Sequence, residues 1–495
     1  MRLFSRLYST IRMARKIQLN EVETKFVGLL DDFAGRLNPP VECRIAGGWV
    51  RDKLLSLPSH DLDIALSIPS GHLFAVDFVN YLKTKDIATG SVGKVAANPE
   101  QSKHLETGTT RILGLECDFV GLRSETYADS RIPQVKPGTP FEDASRRDLT
   151  INALFYNVHT REVEDYTQRG LSDLDNKIAC TPLPPKQTFQ DDPLRILRCI
   201  RFASRFNLTI EGHVIEAIKE EEVKAAIATK VSKERIGIEV TKMLQHDPFR
   251  AMSLIELLGL HPHVFACDVN PPRQTAFASA QILHHLSKRL FVDEMLWLAT
   301  AATPFDNVTV KRKGKDQPAA GIVISEGLKL STEIKNAVTN VFEASRLADP
   351  EATVRSEIGT WMQNPAVKPW QRSLTWSAVM EILPKWTGGW DEHAEGIVTR
   401  YERFRSKIEE LGLPDSIDKP LLLNGTELQQ LLSISPSPLL QTIRQALNVW
   451  QLDHPEGSKE ECEAWLQHQW NGEGRAEWES KSQTKKIVKG EKRKR

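Results

Sequence analysis

The chain has 495 residues, which is long enough for several domains, each with a hydrophobic core of its own. Its 65 basic residues balance 65 acidic residues, so the net charge does not identify a charged partner. No run of about 18 apolar residues is present, and the six cysteines form no CxxC pair. These features argue against a membrane span, a zinc ribbon and a disulfide framework.

Both ends of the chain are basic. Residues 1–20 contain no acid and several hydroxyl side chains, a composition typical of a mitochondrial transit peptide, although an ordinary basic terminus has the same features. Met13 offers a second start that omits much of this segment and would leave a cytoplasmic or nuclear form. Residues 481–495 fit a solvated tail, and equally a nuclear-import or RNA-binding signal.

The first predicted elements alternate between helix and strand. Residues 21–37 have apolar side chains at helical spacing and predict a helix. The segment VECRIAGGWVRDKLL then predicts a short strand, a Gly-Gly turn and a helix. The segment HDLDIAL predicts the next strand, and residues 72–84 predict another helix. To about residue 158 the pattern is that of a mixed α/β domain.

The later elements change in character. Residues 93–110 are polar and interrupted by Gly and Pro, so we predict a mobile loop, and RILGLECDFVGLR then returns to a strand pattern. From about residue 170 helical patterns dominate. The segment KRKGKD, residues 311–316, is expected to be an exposed basic insertion. We therefore expect an α/β head followed by a long helical remainder.

Two acids stand out in the strand HDLDIAL. Asp61 and Asp63 are two positions apart, so both side chains lie on one face of the strand. Such a pair supplies the hard oxygen ligands that Mg²⁺ prefers, and two ions about 3.5–4 Å apart can activate a hydroxyl and stabilise a leaving pyrophosphate. Glu116 and Asp118 share the face of a later strand and could add a third carboxylate. The alternative is a solvated edge strand.

A glycine pair precedes these acids. Gly47 and Gly48 permit a tight turn whose N–H groups can approach a phosphate, and Arg51 follows near the start of a helix. Alone, this pattern favours a plain β-turn. The two acids about ten residues later favour a phosphate-binding turn instead.

Five motifs carry a family resemblance. The segments GGWVRD and DLD resemble the signature of the DNA polymerase beta-like nucleotidyltransferase superfamily. RRDLTINALFYN is similar to a motif of one branch, the class II tRNA CCA-adding enzymes and bacterial poly(A) polymerases. DYTQRGLSDLDNKI, DDPLRILRCIRFASRF and SKERIGIE resemble the later motifs of that branch, in the expected order. The long helical continuation is similar to that of the fungal-type enzymes.

The resemblance implies an α+β fold with a polymerase-beta-like nucleotidyltransferase head of mixed sheet and helices, followed by an elongated all-helical neck, body and tail. The implied divisions are a transit peptide (1–20), the catalytic head (21–160), a neck with the nucleotide-selecting helices (161–235), a helical body (236–330), a tRNA-binding tail (331–480) and a basic tail (481–495).

The resemblance also assigns roles to individual residues. Asp61 and Asp63 match the metal ligands and Asp118 matches the third catalytic acid, which leaves Glu116 with a structural role or facing solvent. Nucleotide-binding positions are matched by Gly48, Arg51, Arg147, Asp148, Asp192, Arg195, Arg198 and Arg201.

The segment DDPLRILRCIRF suggests how a base could be chosen without a template. Cytosine and adenine both present an amino donor beside a ring-nitrogen acceptor. Uracil and guanine present a carbonyl acceptor and a ring N–H donor at the same positions. A carboxylate with a guanidinium therefore complements C and A. The resemblance assigns this pair to Asp192 and Arg195, and Asp191 replaces the more usual Glu. Read alone, the segment is an amphipathic helix with both acids at its N-terminal end and arginines on one side.

The implied activity is Mg²⁺-dependent, template-independent addition of CCA to the tRNA 3′ end from CTP and ATP. The alternatives are a CC-only enzyme, an RNA adenylyltransferase on the same scaffold, and a noncatalytic tRNA-binding protein. No membrane and no required protein partner are expected. The change from C to A needs a moving element, for which residues 93–110 and the junction of head and neck are the candidates. Shortening this loop should spare CC addition and impair addition of the final A.

Overall fold

The computed structural model describes residues 16–95, 106–126 and 133–482. Most of the predicted transit peptide, including Met13, lies outside these residues, as do the centre of the predicted loop 93–110 and nearly all of the basic tail. The chain forms two compact units: the first runs to Ala266 and includes Glu326–Lys329, and the second comprises Cys267–Ser325 and the chain from Leu330.

The strands of the first unit are β1 (Cys43–Ala46), β2 (Asp61–Leu66), β3 (Gly93–Val95), β4 (Thr107–Ile112), β5 (Leu115–Gly121), β6 (Arg123–Thr126), β7 (Gln134–Pro137), β8 (Phe155–Asn157), β9 (Val163–Glu164), β10 (Ile178–Ala179) and β11 (Thr209–Ile210). Its helices are α1 (Glu21–Arg36), α2 (Gly48–Leu54), α3 (Gly71–Lys83), α4 (Pro140–Ser145), α5 (Gly170–Asp175), α6 (Pro185–Asp191), α7 (Leu194–Arg205), α8 (Gly212–Lys219), α9 (Glu221–Lys230), α10 (Lys233–Leu244), α11 (Pro248–Leu257) and α12 (His261–Val264).

A mixed sheet organises the first unit, with strands in the order β3-β4-β5-β2-β1-β8-β9. β2 pairs in parallel with β5 and antiparallel with β1. Along β5 the apolar side chains are buried and the acidic ones exposed, because alternate residues face opposite sides of the sheet. Gly71 lets α3 approach β5 closely, since a Cβ there would lie 1.8 Å from the Phe119 carbonyl oxygen. The buried layer against this sheet is rich in phenylalanines that meet edge-on or tilted: Phe26, Phe33, Phe74, Phe78 and Phe119.

The predicted strands and helices of the head are confirmed, with two corrections. The segment 111–123 is part of a hairpin rather than one strand, because Leu113 and Gly114 turn the chain with φ values of 51° and 85°. The segment 93–110, predicted as a loop, has strand at both ends, in β3 and β4. These ends pair with one another in the sheet, which polar composition alone does not indicate.

A third correction concerns the helix that follows the two adjacent acids. Asp191 is the last residue of α6 and Asp192 follows it, so Asp191 is at a C-terminal rather than an N-terminal helix end. Pro193 lacks an N–H and precedes Leu194, the first residue of α7. Burial raises the pKa of the Asp191 carboxyl. Asp192 contacts the beginning of α7, where its Oδ1 accepts a hydrogen bond from the Leu194 N–H at 3.2 Å.

The second unit is mainly helical. Its elements are β12 (Thr309–Arg312), β13 (Lys315–Pro318), α13 (Gln274–Leu286), α14 (Glu294–Ala302), α15 (Ala319–Ile322), α16 (Thr332–Ser345), α17 (Arg355–Gln363), α18 (Trp370–Ile382), α19 (Glu392–Glu410), α20 (Gly425–Leu432), α21 (Pro438–Asp453) and α22 (Lys459–Asn471). The expected basic insertion is a hairpin of β12 and β13 with Lys313 and Gly314 in its turn. Within the described ranges, no helix is both long enough and apolar enough to cross a bilayer.

Candidate active site

The exposed face of β2 and β5 is acidic. The parallel register places Asp61 opposite Glu116 and Asp63 opposite Asp118, and all four side chains are exposed. Glu116 pairs with the exposed Arg111 at 3.1 Å, in keeping with the predicted solvent-facing position. The structure therefore brings the three predicted catalytic acids onto one sheet face.

The electrostatics of this face fit a divalent cation. Loss of hydration raises the pKa of Asp63, and Asp61 and Asp143 raise it further, whereas Arg147 acts in the opposite direction. Loss of hydration, followed by the charges of Asp63 and Asp61, also raises the pKa of Asp118. A cation at this face would offset the mutual repulsion of the acids, and carboxylates are ligands suited to Mg²⁺.

The turn at Gly47 and Gly48 packs against the side chain of Arg147. Gly47 has a φ of 64°, and a Cβ at this position would lie 2.5 Å from Nη1 of Arg147. At Gly48, the first residue of α2, an added Cβ would meet only Nη2 of Arg51, at 3.8 Å. The strict requirement for glycine is thus at Gly47, whereas the predicted nucleotide contact was at Gly48.

Arg51 is buried beside this turn with an exposed fraction of 4%. Its Nε donates to Asp52 at 2.8 Å and its Nη1 donates to Oδ1 of Asn152 at 2.5 Å. Its guanidinium also lies over the rings of Phe202 and Phe206, at 4.9 and 4.6 Å from their centroids. Burial lowers the pKa of Arg51. These contacts hold the guanidinium in a fixed position at the cavity described below.

A buried acid that the sequence analysis did not select holds the two arginines of the RRD motif. Asp143 accepts hydrogen bonds from Arg146 at 2.6 Å and from Arg147 at 3.0 Å. Burial acts to raise the pKa of Asp143, but the charges and hydrogen bonds of the two arginines lower it to about 2. The spacing of three and four residues is a helical signal that could have indicated these pairs.

A chain of buried charges connects Asp148 with α7 and α10. Asp148 accepts from Nε of Arg198 at 2.7 Å and from Asn152 at 2.9 Å. Burial acts to raise the pKa of Asp148, but Arg198 and these hydrogen bonds lower it to about 2. Glu239 then accepts from Nε of Arg201 at 2.6 Å and lies 3.7 Å from Nη1 of Arg198.

Asp192 and Arg195 are placed beside the cavity with protein partners of their own. Oδ2 of Asp192 accepts from Nη2 of Arg235 at 2.8 Å. Nη2 of Arg195 donates to the Arg146 carbonyl at 2.7 Å and lies 3.8 Å from Oε2 of Glu125. Arg235 and Glu125 were not predicted, since they are distant in sequence from the residues they contact.

One cavity of about 1080 Å³ collects these side chains. All the predicted site residues line it except Asp118, whose side chain lies on the same sheet face outside the lining. Phe202, a buried residue of α7, also lines the cavity, and the guanidinium of Arg201 lies 4.1 Å from its ring centroid. The cavity therefore combines an acidic face, several arginines and an aromatic ring, a set suited to a nucleotide and its phosphates.

The chain is similar to known proteins over most of its length. Residues 43–180 match the Poly A polymerase head domain family. The chain is 34% identical over 520 residues to the mitochondrial CCA tRNA nucleotidyltransferase of Candida glabrata, an alignment that covers 93% of this chain and 97% of that protein. It is 36% identical over 486 residues to tRNA nucleotidyltransferase cca2 of Schizosaccharomyces pombe, covering 92% and 99% of the two chains.

A solved structure supports the fold. The Bacillus stearothermophilus CCA-adding enzyme in complex with CTP superposes with a TM-score of 0.65 at 18% identity, covering 92% of this chain and all of that one (100%). The predicted fold class, a mixed-sheet head followed by a helical remainder, is confirmed.

Proposed function

Because this chain belongs to the family of CCA tRNA nucleotidyltransferases, we propose that it adds C, C and A to the 3′ end of tRNA without a template. CTP and ATP are the donors and pyrophosphate is the product. The observation that carries the proposal is the single cavity that joins the acids of β2 to the arginines of α7. The predicted enzyme class agrees with the names of the Candida glabrata and Schizosaccharomyces pombe relatives.

In the proposed reaction the 3′ hydroxyl of tRNA attacks the α-phosphorus of the nucleotide, and the bond to pyrophosphate breaks. Asp61 and Asp63 would hold Mg²⁺, which when bound supplies charge that stabilises the phosphates and activates the hydroxyl. Asp118 adds negative charge to the same face and is the proposed third acid. Arg147, whose guanidinium is anchored by Asp143 next to the glycine turn, would contact the sugar and phosphates.

Base choice is assigned to Asp192 and Arg195. The carboxylate would accept from the amino group of C or A, and the guanidinium would donate to the neighbouring ring nitrogen. Each contact is worth about 1–3 kcal/mol of discrimination, by analogy with base-edge recognition. Arg195 is held by the Arg146 carbonyl and Asp192 by Arg235, so both groups are oriented by the protein before a base arrives.

The stepwise addition assay tests this proposal. The protein would be incubated with tRNA that lacks its CCA end, with CTP alone, with ATP alone and with both. Two additions with CTP and a third with ATP are expected. A product that stops at CC identifies a CC-only enzyme, a long A ladder identifies an adenylyltransferase, and tRNA binding without extension identifies a noncatalytic protein.

Matched variants locate the chemistry within that assay. Asp61→Asn should reduce both C and A addition, by roughly a hundredfold or more. Glu116→Gln removes a carboxylate from the same sheet face and should leave addition unchanged, because Glu116 pairs with Arg111 on the exposed surface.

Localisation is the last part of the proposal. The Candida glabrata and Saccharomyces cerevisiae relatives are named as mitochondrial enzymes. The basic first twenty residues would direct import of this chain, and initiation at Met13 would produce a cytoplasmic and nuclear form. Imaging of fusions with and without residues 1–12 tests this, and mitochondrial signal that persists without them would contradict it.

A further inference from the structure

One face of α10 lines the cavity and is only partly explained by the nucleotide. Arg235, Ile238, Glu239 and Lys242 are spaced by three, four and seven residues and all border the cavity. Arg235 holds Asp192 at 2.8 Å, and Glu239 holds Arg201 at 2.6 Å. These two residues position groups assigned to the nucleotide, whereas Ile238 and Lys242 have no such task.

Ile238 and Lys242 are open to the cavity. Ile238 has an exposed fraction of 53% although its side chain is apolar and its neighbours on this face are charged. Covering this side chain with a ligand would remove apolar surface from water, which favours binding. Lys242 is exposed and has no ion pair or hydrogen bond to another residue within the part of the chain that the structure describes. An apolar contact and an uncompensated positive charge are therefore both available to a ligand.

The spacing separates this pair from the position of base selection. Asp192 contacts Arg235 near the beginning of α10, and Arg201 contacts Glu239 one turn further on. Ile238 and Lys242 are three and seven residues beyond Arg235, which corresponds to about 4.5 and 10 Å along the helix. The pair therefore extends along α10 away from the residue that contacts Asp192.

We propose that Ile238 and Lys242 bind the 3′ end of the RNA acceptor, an inference that rests on the proposed function. Residues four apart on a helix have Cβ atoms roughly 5–6 Å apart. Lys242 therefore contacts a backbone phosphate while Ile238 packs against the adjacent base. Neither side chain hydrogen-bonds to base edges. The contact therefore does not depend on which nucleotide is at the 3′ end, although that nucleotide changes after each addition.

The test compares kinetic constants for the two substrates. Lys242→Ala should raise the KM for tRNA lacking CCA about five- to tenfold while the KM for CTP and ATP changes less than twofold. It should also reduce, by about one, the slope of log tRNA affinity against log salt concentration, because one phosphate contact is lost. Ile238→Ser should raise the same KM without changing the salt slope. Lys242→Arg should restore affinity, because it restores the charge.

The control variant is Lys230→Ala, which removes an exposed positive charge from α9, outside the cavity lining. It should leave both KM values unchanged. A higher KM for CTP with an unchanged KM for tRNA would assign the pair to the nucleotide instead and overturn the inference, as would no change in either KM. Failure of the wild-type protein to extend tRNA would contradict the proposed function, whereas tRNA binding measured without nucleotides still tests the contact.

Discussion

Asp63, a proposed metal ligand, illustrates a conflict between the proposed chemistry and stability. Its pKa is raised, first by loss of hydration and then by Asp61. The folded state favours the protonated form of a carboxyl whose pKa rises on folding. The contribution of this group to the free energy of unfolding is therefore most favourable at pH values below its ordinary pKa of 3.8, and it is lost as the pH rises through the raised pKa. At neutral pH, without a cation, the ionised side chain is therefore destabilising.

Asp63→Asn should accordingly raise the free energy of unfolding at pH 7 in the absence of divalent cations, while it abolishes nucleotide addition. Urea unfolding with and without MgCl₂ measures the effect. Added Mg²⁺ should stabilise the wild type and not the variant, because binding to the folded state alone shifts the equilibrium. Equal stabilisation of both proteins by Mg²⁺ would mean that the cation binds elsewhere.

Recognition of these residues from sequence depended on local spacing. The shared face of Asp61 and Asp63 follows from the two-residue period of a strand, and the fan of arginines follows from helical spacing. The contact between Arg235 and Asp192 joins residues 43 positions apart, and no local pattern indicates it. The parallel register of Asp63 with Asp118 also requires knowledge of the strand order, for which the family resemblance substituted.

At the scale of elements, α7 is held in place by buried charges rather than by apolar packing alone. Arg201 is only 8% exposed, and its charge is compensated by Glu239 of α10. Glu239→Ala should lower the free energy of unfolding by about 3–5 kcal/mol, because it leaves a buried guanidinium without its partner. Glu239→Gln keeps a hydrogen-bond acceptor and should cost less. Urea unfolding of both variants checks this, and equal stability of Glu239→Ala and the wild type would contradict it.

The buried carboxylates of Asp143 and Asp148 predict a pH dependence of stability. Asp143 and Asp148 have pKa values lowered to about 2, so their contribution is complete above the ordinary carboxyl pKa of 3.8 and is lost as the pH falls toward 2. For Asp148 the shift corresponds to roughly 2 kcal/mol. The free energy of unfolding should therefore fall between pH 4 and pH 2, and less steeply in Asp148→Asn. An unchanged slope in that variant would show that other groups cause the acid transition.

Predictions for elements succeeded where periodicity was strong and failed at reversals of the chain. The helix over α1 and the strand β2 follow from clear apolar patterns. The hairpin of β4 and β5 was read as one strand because its two-residue turn contains a single glycine, Gly114. The hairpin of β12 and β13 was not predicted, because its lysines are not typical of a strand. Lysines do occur in exposed strands, where they discourage pairing with another chain.

At the scale of the whole molecule, every residue that lines the cavity belongs to the first unit. Binding of CTP with Mg²⁺ should therefore slow amide hydrogen exchange mainly in residues 43–66, 140–157 and 185–244. Mass spectrometry of peptides from the full-length protein measures this. Strong protection confined to α16–α19 of the second unit would show that the nucleotide binds elsewhere.

The domain boundaries within the helical remainder were the feature hardest to predict from the sequence. The motifs end near residue 240, and the predicted boundaries at 235, 330 and 480 follow the resemblance rather than packing. The second unit has its own buried cluster of Leu428, Ile443, Leu447, Trp450, Cys462 and Leu466. Its role in holding tRNA stays a prediction, because phosphate-binding and solvated lysines have the same sequence pattern.

The central claim is that Asp192 and Arg195 read the base in place of a template strand. A crystal structure of the protein with CTP and Mg²⁺ tests it most directly. The account predicts that the cytosine amino group lies within hydrogen-bond distance of the Asp192 carboxylate, with Arg195 on the ring nitrogen and the triphosphate above Asp61 and Asp63. A cytosine bound away from both side chains would contradict it.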